Sequence, residues 1–479
     1  MKQLSGLDAM FLYWETEGAA MHTAMVSVYD PGTAPRGKVD FATVRTHVRR
    51  SLPLSDVFRQ KLAPVPFNLD HPYWIRDAGF DLDRHIHRVN LSDRSWNGFC
   101  KLVAELHARP LDRSRPLWEM IYIDGLEGVR DFPAGSFALM TKIHHAAIDG
   151  ATGAELTAGL HDLAPDAKRK PLRDTFTGEA PPSTAQLLLS ATRNNLRAPA
   201  RVAAPLRRML PGIARKLRQP RTDLDMPQRR GPATRFNRRV GTQRIYDARE
   251  YALKDLSAMR KAVPGATVND VILALCSGAI HHYLKARREL PPESLLVMAP
   301  INTRSESERS AAGGNQVSLM TLPLCTDIAD PLQRLRRIAQ HTAQAKQTVN
   351  SIGAREITDL NKSTPAATMA LAFRLVTGAN LLGSLRAFNT VVSNVPGPQV
   401  PIYLCGARLL SWSGLGPCSH GLGLGFPVLS YDGKVNFAFN GCARAVPDVD
   451  FAVECLERAF TELKDAAAHV LSSNGEAHV

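Results

Sequence analysis

No run of about 18 residues in this 479-residue chain is apolar enough to read as a membrane span. The nearest approach, Leu409 to Tyr431, has no Asp, Glu, Lys or Arg, but Gly414, Gly416, Pro417, Gly421, Gly423, Gly425 and Pro427 interrupt it. It reads as buried strands joined by tight turns. The opening residues carry Asp8, Glu15 and Glu17 and lack the apolar core of a signal peptide. Seven cysteines are scattered without a C-x-x-C pair. That argues against a zinc site or a disulfide framework and for reduced thiols in a cytosolic protein. There is no G-x-S-x-G, so a nucleophile-elbow serine is not expected. Gly421, Gly423 and Gly425 spell G-x-G-x-G, which is not the dinucleotide fingerprint; a strand bend or a close backbone approach explains them equally. No repeat and no low-complexity tract is visible.

What the chain does have is a globular composition, 44% apolar and 22% charged, with enough length for two to four domains. Its net charge of +14 is local. Between Ser183 and Val240 there are 14 basic residues against two acids, a net of +12, which leaves the rest of the chain almost balanced. Leu187, Leu188, Leu189, Val202, Leu206, Met209, Leu210, Ile213 and Leu217 lie among these cations. The segment reads first as an anchor to an anionic membrane or lipid-inclusion surface, then as a solvated linker, then as a dock for coenzyme A phosphates. Nucleic acid is not an expected partner, because neither an aromatic platform nor a helix-turn-helix pattern accompanies the charge.

Apolar periodicity divides the chain into an α/β unit over 1–165, a Pro-rich basic linker with broken helices over 166–240, and a second α/β unit over 241–479. In the first unit, Ala42 to Leu52 and Asn97 to Ala108 read as helices. Leu117 to Ile123 and Ser136 to Ile143 read as strands. A helix capped by Asp149 or Thr152 is expected to run on to Leu163. In the second, Val268 to Glu289, Leu332 to Ser351 and Asp450 to Ser472 read as helices. Leu295 to Pro300 and Asn389 to Val395 read as strands, and Asp432-Gly433 marks a hairpin between two more.

The most informative string is Lys142-Ile143-His144-His145-Ala146-Ala147-Ile148-Asp149-Gly150, directly after a strand. A packed pair of histidines is the ordinary reading of such a dipeptide, and His281-His282, on a helix and without a following Asp-Gly, is assigned that structural role. His144-His145 differs in following a strand and in preceding a small-residue loop with room for substrate. Adjacent residues on an extended segment face opposite ways, so the two rings do not suit a single metal ion, and no metal is expected. General-base catalysis on a bound hydroxyl remains. The electrophile must then arrive activated, and a thioester fits.

H-H-x-x-x-D-G resembles the signature of the CoA-dependent acyltransferase superfamily. More narrowly, the chain resembles the bacterial wax ester synthase/diacylglycerol acyltransferase family. The similarity is carried by Leu4-Ser5-Gly6-Leu7-Asp8-Ala9-Met10-Phe11-Leu12, by Pro110 to Glu119 with its Pro116-Leu117-Trp118, and by Asn269-Asp270. Pro300-Ile301-Asn302-Thr303-Arg304, Gly314-Asn315 and Ser393-Asn394-Val395-Pro396-Gly397-Pro398 extend it. The resemblance implies an α/β fold of two chloramphenicol acetyltransferase-like domains, each a mixed sheet flanked by helices, with an active-site tunnel between them. It implies transfer of a long fatty acyl group from acyl-CoA, as co-substrate and without a bound cofactor, to a lipid alcohol. That alcohol would be diacylglycerol, giving triacylglycerol, or a fatty alcohol, giving a wax ester. A polyketide-type or glycolipid hydroxyl and a catalytically silent lipid-droplet protein are the alternatives. The expected place is the cytoplasm, peripherally at the inner membrane or on lipid inclusions.

The same resemblance makes His145 the base and His144 secondary, and has Asp149 pair with an arginine, Arg115 or Arg304. Asn269 would lie near the site, either as an oxyanion donor worth a few kcal/mol or as the cap of its own helix. Gly150, Asp270, Pro116, Leu117 and Trp118 are the expected substrate contacts, with Trp118 either a tunnel wall or a packed core residue.

Overall fold

The computed structural model describes residues 1–148, 159–197, 230–302, 317–352 and 381–476. Two six-stranded mixed sheets organise the chain. The first unit contributes β1 (Lys2–Gln3), β2 (His22–Asp30), β3 (Gln60–Ala63), β4 (Tyr73–Arg76), β5 (Ile86–Asn90), β6 (Trp118–Asp124) and β7 (Phe137–His144). The remainder supplies β8 (Arg244–Ala252), β9 (Leu296–Asn302), β10 (Val317–Pro323), β11 (Thr390–Pro396), β12 (Tyr403–Leu404), β13 (Ala407–Leu415), β14 (Leu424–Tyr431) and β15 (Lys434–Cys442).

The first large sheet runs β12-β13-β2-β7-β6-β5 and the second β10-β9-β11-β14-β15-β8. In each, antiparallel pairs are combined with parallel ones: β5 with β6 in the first, and β11 with both β9 and β14 in the second. One feature departs from the three-segment division. β12 and β13 belong to the stretch 241–479, yet they pair onto β2 and complete the first unit's sheet. A third, small sheet, β1-β4-β3, stands beside the first.

Strand alternation gives the first sheet two apolar faces, and helices cover both. On one face the helix Trp96–Ala108 sets Phe99, Val103 and Leu106 against Ala24, Val26, Ile121, Ile123 and Met140. The helix starts at Ser95, whose side chain accepts from the Gly98 amide at 2.9 Å. Truncating the fully buried Phe99 to Ala would cost about 3–5 kcal/mol. On the other face Val44 and Val48 of the helix Phe41–Ser51 pack with Trp118, Met120, Tyr122, Leu139 and Ile143.

The second unit is built around the helix Val268–Ala286. A capping box fixes its start: Asp270 accepts from the Thr267 amide at 2.8 Å and Thr267 accepts from the Asp270 amide at 3.3 Å. From Val271 to Leu284 it is buried on nearly every side, which suits a run that is apolar all round. Gly278 is what lets the helix Val449–Glu476 approach, because a Cβ there would stand 2.7 Å from that of Ala459.

Most expected elements appear within a few residues of their anticipated ends. The helix expected to begin at Asp149 or Thr152 falls chiefly outside the described residues, as does the basic stretch 198–229. No helix among the described residues is long and apolar enough to cross a membrane.

Candidate active site

The strand β7 ends at His144, but pairing continues one step further: the His145 amide donates to the Met21 carbonyl at 2.8 Å. This keeps the backbone extended through both histidines, so their rings leave on opposite faces. His144 shares a face with Lys142 and with its cross-strand partner His22. His145 falls on the face that carries Leu139, Thr141 and Ile143.

His144 is buried and held at both nitrogens. Its Nδ1 accepts from the Ala146 amide at 3.0 Å, which puts the ring proton on Nε2, and Nε2 donates to Glu15 Oε2 at 3.2 Å. Glu15 follows the helix Gly6–Trp14 as its C-cap. Its carboxylate also accepts from the Met21 amide at 2.8 Å and pairs with Arg113 at 2.9 Å, and the Arg113 guanidinium donates in turn to the Leu12 carbonyl at 2.9 Å. Burial by itself would raise the Glu15 pKa. The His144 hydrogen bond and the Arg113 charge outweigh it and hold the group down at about 2. Glu15 is therefore a fixed carboxylate at any physiological pH. It anchors His144 and, through Met21, the segment on which the His145 amide rests.

His145 is held differently. Its ring is half-buried and lies flat on Phe11, with centroids 3.9 Å apart and planes 13° from parallel. Nδ1 is buried without a hydrogen-bond partner. Nε2 bonds to no described residue. Burial pushes the pKa down to about 4, and the neighbouring His144 adds to this. A neutral imidazole whose Nε2 bonds to no described residue can accept a proton from a group brought to it.

The surroundings place this ring at the seam of the two units. Phe11 packs both against the small cluster Leu4, Ala9, Leu12, Leu117 and Ala146 and against the core of the second unit. Ala19 and Met21, just before β2, belong to that second core as well. On the His145 face, Met25, Leu139, Thr141, Ile143, Ile148 and Trp412 help line an apolar cavity of about 20 Å³, room for roughly one water. Among the described residues no group of His, Cys, Asp and Glu side chains could hold a metal ion.

The other expected site residues are distributed as follows. Leu117 is brought to the histidines: its carbonyl accepts from the His144 amide at 2.9 Å. Pro116 is buried just before it. Trp118 is a packed core residue. It is 1% exposed, its indole donates to the Phe58 carbonyl at 2.9 Å, and it stacks on His85. It is not among the residues that line the cavity. Asn269 does not cap its helix, since Thr267 does. Instead the Asn394 side-chain amide donates to Asn269 Oδ1 at 3.2 Å. Asp270 is fully engaged, its carboxylate closing the capping box and accepting from Thr342 Oγ1 at 2.7 Å. This gives it a helix-fixing position rather than a free one. Asp149, Gly150 and Arg304 lie outside the described residues. Arg115 pairs with Asp112 at 3.2 Å.

Sequence reasoning passed over Glu15, Phe11 and Arg113 as site residues. The available signal was a single acid closing the apolar run Met10-Phe11-Leu12-Tyr13-Trp14. A carboxylate in that setting must be paired or exposed.

Comparison with known proteins identifies the family. The wax ester synthase/diacylglycerol acyltransferase catalytic domain matches residues 4–272, and the C-terminal domain of the same family matches residues 313–464. A Mycobacterium tuberculosis protein provisionally named as a diacylglycerol O-acyltransferase is 32% identical over 473 residues, 98% of this chain and 91% of its own length. The structure is similar to the wax ester synthase/diacylglycerol acyltransferase of Marinobacter aquaeolei VT8, with a TM-score of 0.69 at 26% identity, covering 98% of this chain and all of that one. The starter condensation domain of rhizomide synthetase shares the fold, with a TM-score of 0.53 at 15% identity over 98% of this chain and 94% of its own. The chain therefore belongs to the wax ester synthase/diacylglycerol acyltransferase family and is an acyltransferase.

Proposed function

We propose that the chain transfers a long-chain fatty acyl group from acyl-CoA to the hydroxyl of a lipid alcohol, diacylglycerol or a fatty alcohol, by direct attack on the thioester. The observation that carries this reading is the neutral His145 ring, clamped on Phe11 at the seam of the two units, with Nε2 bonded to no described residue. Nε2 takes the hydroxyl proton as the oxygen attacks the thioester carbonyl. The tetrahedral oxyanion collapses, the carbon–sulfur bond breaks, and His145 returns the proton to the departing CoA thiolate. No acyl-enzyme forms. A base so placed contributes roughly 10²–10⁴ in rate, and holding the two substrates together supplies much of the rest.

Two further roles follow. Asn269, with its amide oriented by Asn394, donates to the developing oxyanion. The apolar cavity beside Ile143 and Ile148, about 20 Å³, would have to widen to take the acyl chain. Because both the acceptor and the product are membrane-soluble, the enzyme works peripherally on a cytoplasmic lipid surface.

The test is a product assay with palmitoyl-CoA and a panel of acceptors, comparing the parent with His145→Ala. Release of CoA coupled to ester formation, lost in the variant, is the expected result. Equal turnover by the two proteins removes the base assignment. Ester formed only from polyketide-type or sugar-lipid alcohols removes the acceptor class.

A further inference from the structure

The turn at the end of the small sheet β1-β4-β3 carries an exposed aromatic ring. Between β3 and β4 the chain turns through Pro66, Phe67 and Asn68, and Phe67 is 90% exposed. Phe67 and Asn68 both have positive φ, 56° and 54°, a conformation that side chains larger than glycine rarely adopt. The turn is nevertheless hydrogen-bonded, Asn68 to the Val65 carbonyl at 3.1 Å and Leu69 to that of Pro66 at 3.2 Å. An uncommon backbone thus holds a large aromatic ring out into solvent.

Beside the tip lies a helix over 184–197. Its inner side chains Leu187 and Ala191 pack on Ala63, Val65, Tyr73 and Ile75. Asn195 donates to the Leu69 carbonyl at 2.8 Å and so ties the helix to the tip. On the opposite stripe Leu189 and Leu196 are 74% and 79% exposed, with Arg193 between them and Arg197 next to them. No carboxylate among the described residues pairs with either arginine. The helix also opens the segment 183–240, whose net charge is +12.

Exposed apolar side chains alternating with arginines that have no such partner match a phospholipid surface of negative charge, where ring and leucines enter the acyl region and guanidinium groups meet phosphates. The position relative to the chemistry agrees. The other face of the same hairpin, Leu62 and Trp74, packs on the cluster containing Leu4, Leu12, Leu117 and Ala146, from which Phe11 reaches His145.

We propose that the 64–69 tip and the outer stripe of helix 184–197 form a docking surface for an anionic phospholipid membrane, with Phe67 inserted as a wedge, that brings the His145 site to the lipid phase from which the acceptor alcohol comes. The proposal rests on the lipid-alcohol reading above for its purpose but not for its test.

The test uses the full chain and vesicles of equal parts phosphatidylglycerol and phosphatidylcholine. The double variant Phe67→Ser, Leu69→Ser is expected to partition at least about tenfold more weakly than the parent. Phe67→Trp is expected to gain fluorescence that brominated phospholipid quenches. CoA release from palmitoyl-CoA and a short, water-soluble alcohol without vesicles should be equal in parent and double variant. Equal vesicle binding by parent and double variant, or an unquenched Trp at position 67, overturns the docking surface. Equal binding of the parent to pure phosphatidylcholine overturns the anionic partner. Absence of CoA release from the parent strikes the functional reading alone and leaves the vesicle result intact.

Discussion

The chain contains two adjacent histidine pairs, and their surroundings differ in a way that separates chemistry from packing. In the pair on the helix Val268–Ala286 each ring has a partner. His281 Nδ1 meets the Thr326 carbonyl at 2.8 Å and His282 Nε2 meets Glu462 at 2.9 Å. In the pair at the end of β7, His144 is bonded at both nitrogens, but His145 is clamped by a ring stack and its Nε2 bonds to no described residue. The lesson is that a histidine's work is read from how its ring is held and what it faces, by hydrogen bonds to Thr326 and Glu462 in one pair and by a stack on Phe11 in the other, not from the dipeptide.

Replacing one ring in each pair breaks the comparison most sharply. His145→Ala should lower kcat/KM by roughly 10²–10⁴, while His282→Ala should leave it within about twofold. Comparable losses in the two variants, measured as CoA release, would erase the distinction.

The next effect is on the anchor. Glu15→Gln keeps the shape but removes the charge that His144, Arg113 and the Met21 amide share. A carboxyl held at about 2 in the fold and at 4.5 in the unfolded chain contributes on the order of 3 kcal/mol above pH 4.5. That stability is lost as pH falls from 4.5 towards 2. Denaturant titrations should therefore show the parent losing stability across this window and the variant losing much less. Its kcat should also fall by roughly tenfold, because the His145 segment is less well held.

The pH profile sharpens the contrast further. His145 stays neutral down to about pH 4, so the acid limb of kcat/KM should fall near 4 and not near 6.5. The same shift has a stability consequence with a definite sign. Between pH 6.5 and 4 the unfolded chain binds a proton at this ring that the fold does not, so stability declines as pH drops through that interval. An acid limb centred at 6.5 would mean the ring is better solvated during turnover than its stack on Phe11 allows.

The smallest expected effect belongs to the structural pair. His282→Gln loses the Glu462 contact and should cost about 0.5–1.5 kcal/mol in thermal or denaturant unfolding, with no change in turnover. A change in activity there would show that the second pair reaches the chemistry through the helix that also carries Asn269.

Much of this arrangement was legible in the sequence, for reasons that are local. Apolar periodicity and turn residues located the helix Trp96–Ala108, the strand β7 and the hairpin at Asp432-Gly433, because each depends on neighbours within a few positions. The opposition of the two histidines followed from strand geometry alone. What the sequence withheld was non-local. Nothing near residue 407 announces that β13 will pair with a strand near residue 22. Glu15 and His144 are 129 positions apart, and only folding makes them partners. Asn269 looked like a cap because it stands at a helix start, but one residue decides a cap, and Thr267 with Asp270 had the better geometry. Leu187 and Leu189 looked alike in a basic segment, whereas two positions on a helix turn one inward and the other out.

The insertion of β13 bears on how the polypeptide is made. β2 pairs on one edge with β7 and on the other only with β13, so while the ribosome is still translating the middle of the message that second edge is bare. An unprotected edge strand is a site for joining another nascent copy. A gene fragment ending before codon 400 should yield insoluble product, and the last fifth of the chain acts as the clasp that closes what the first fifth began.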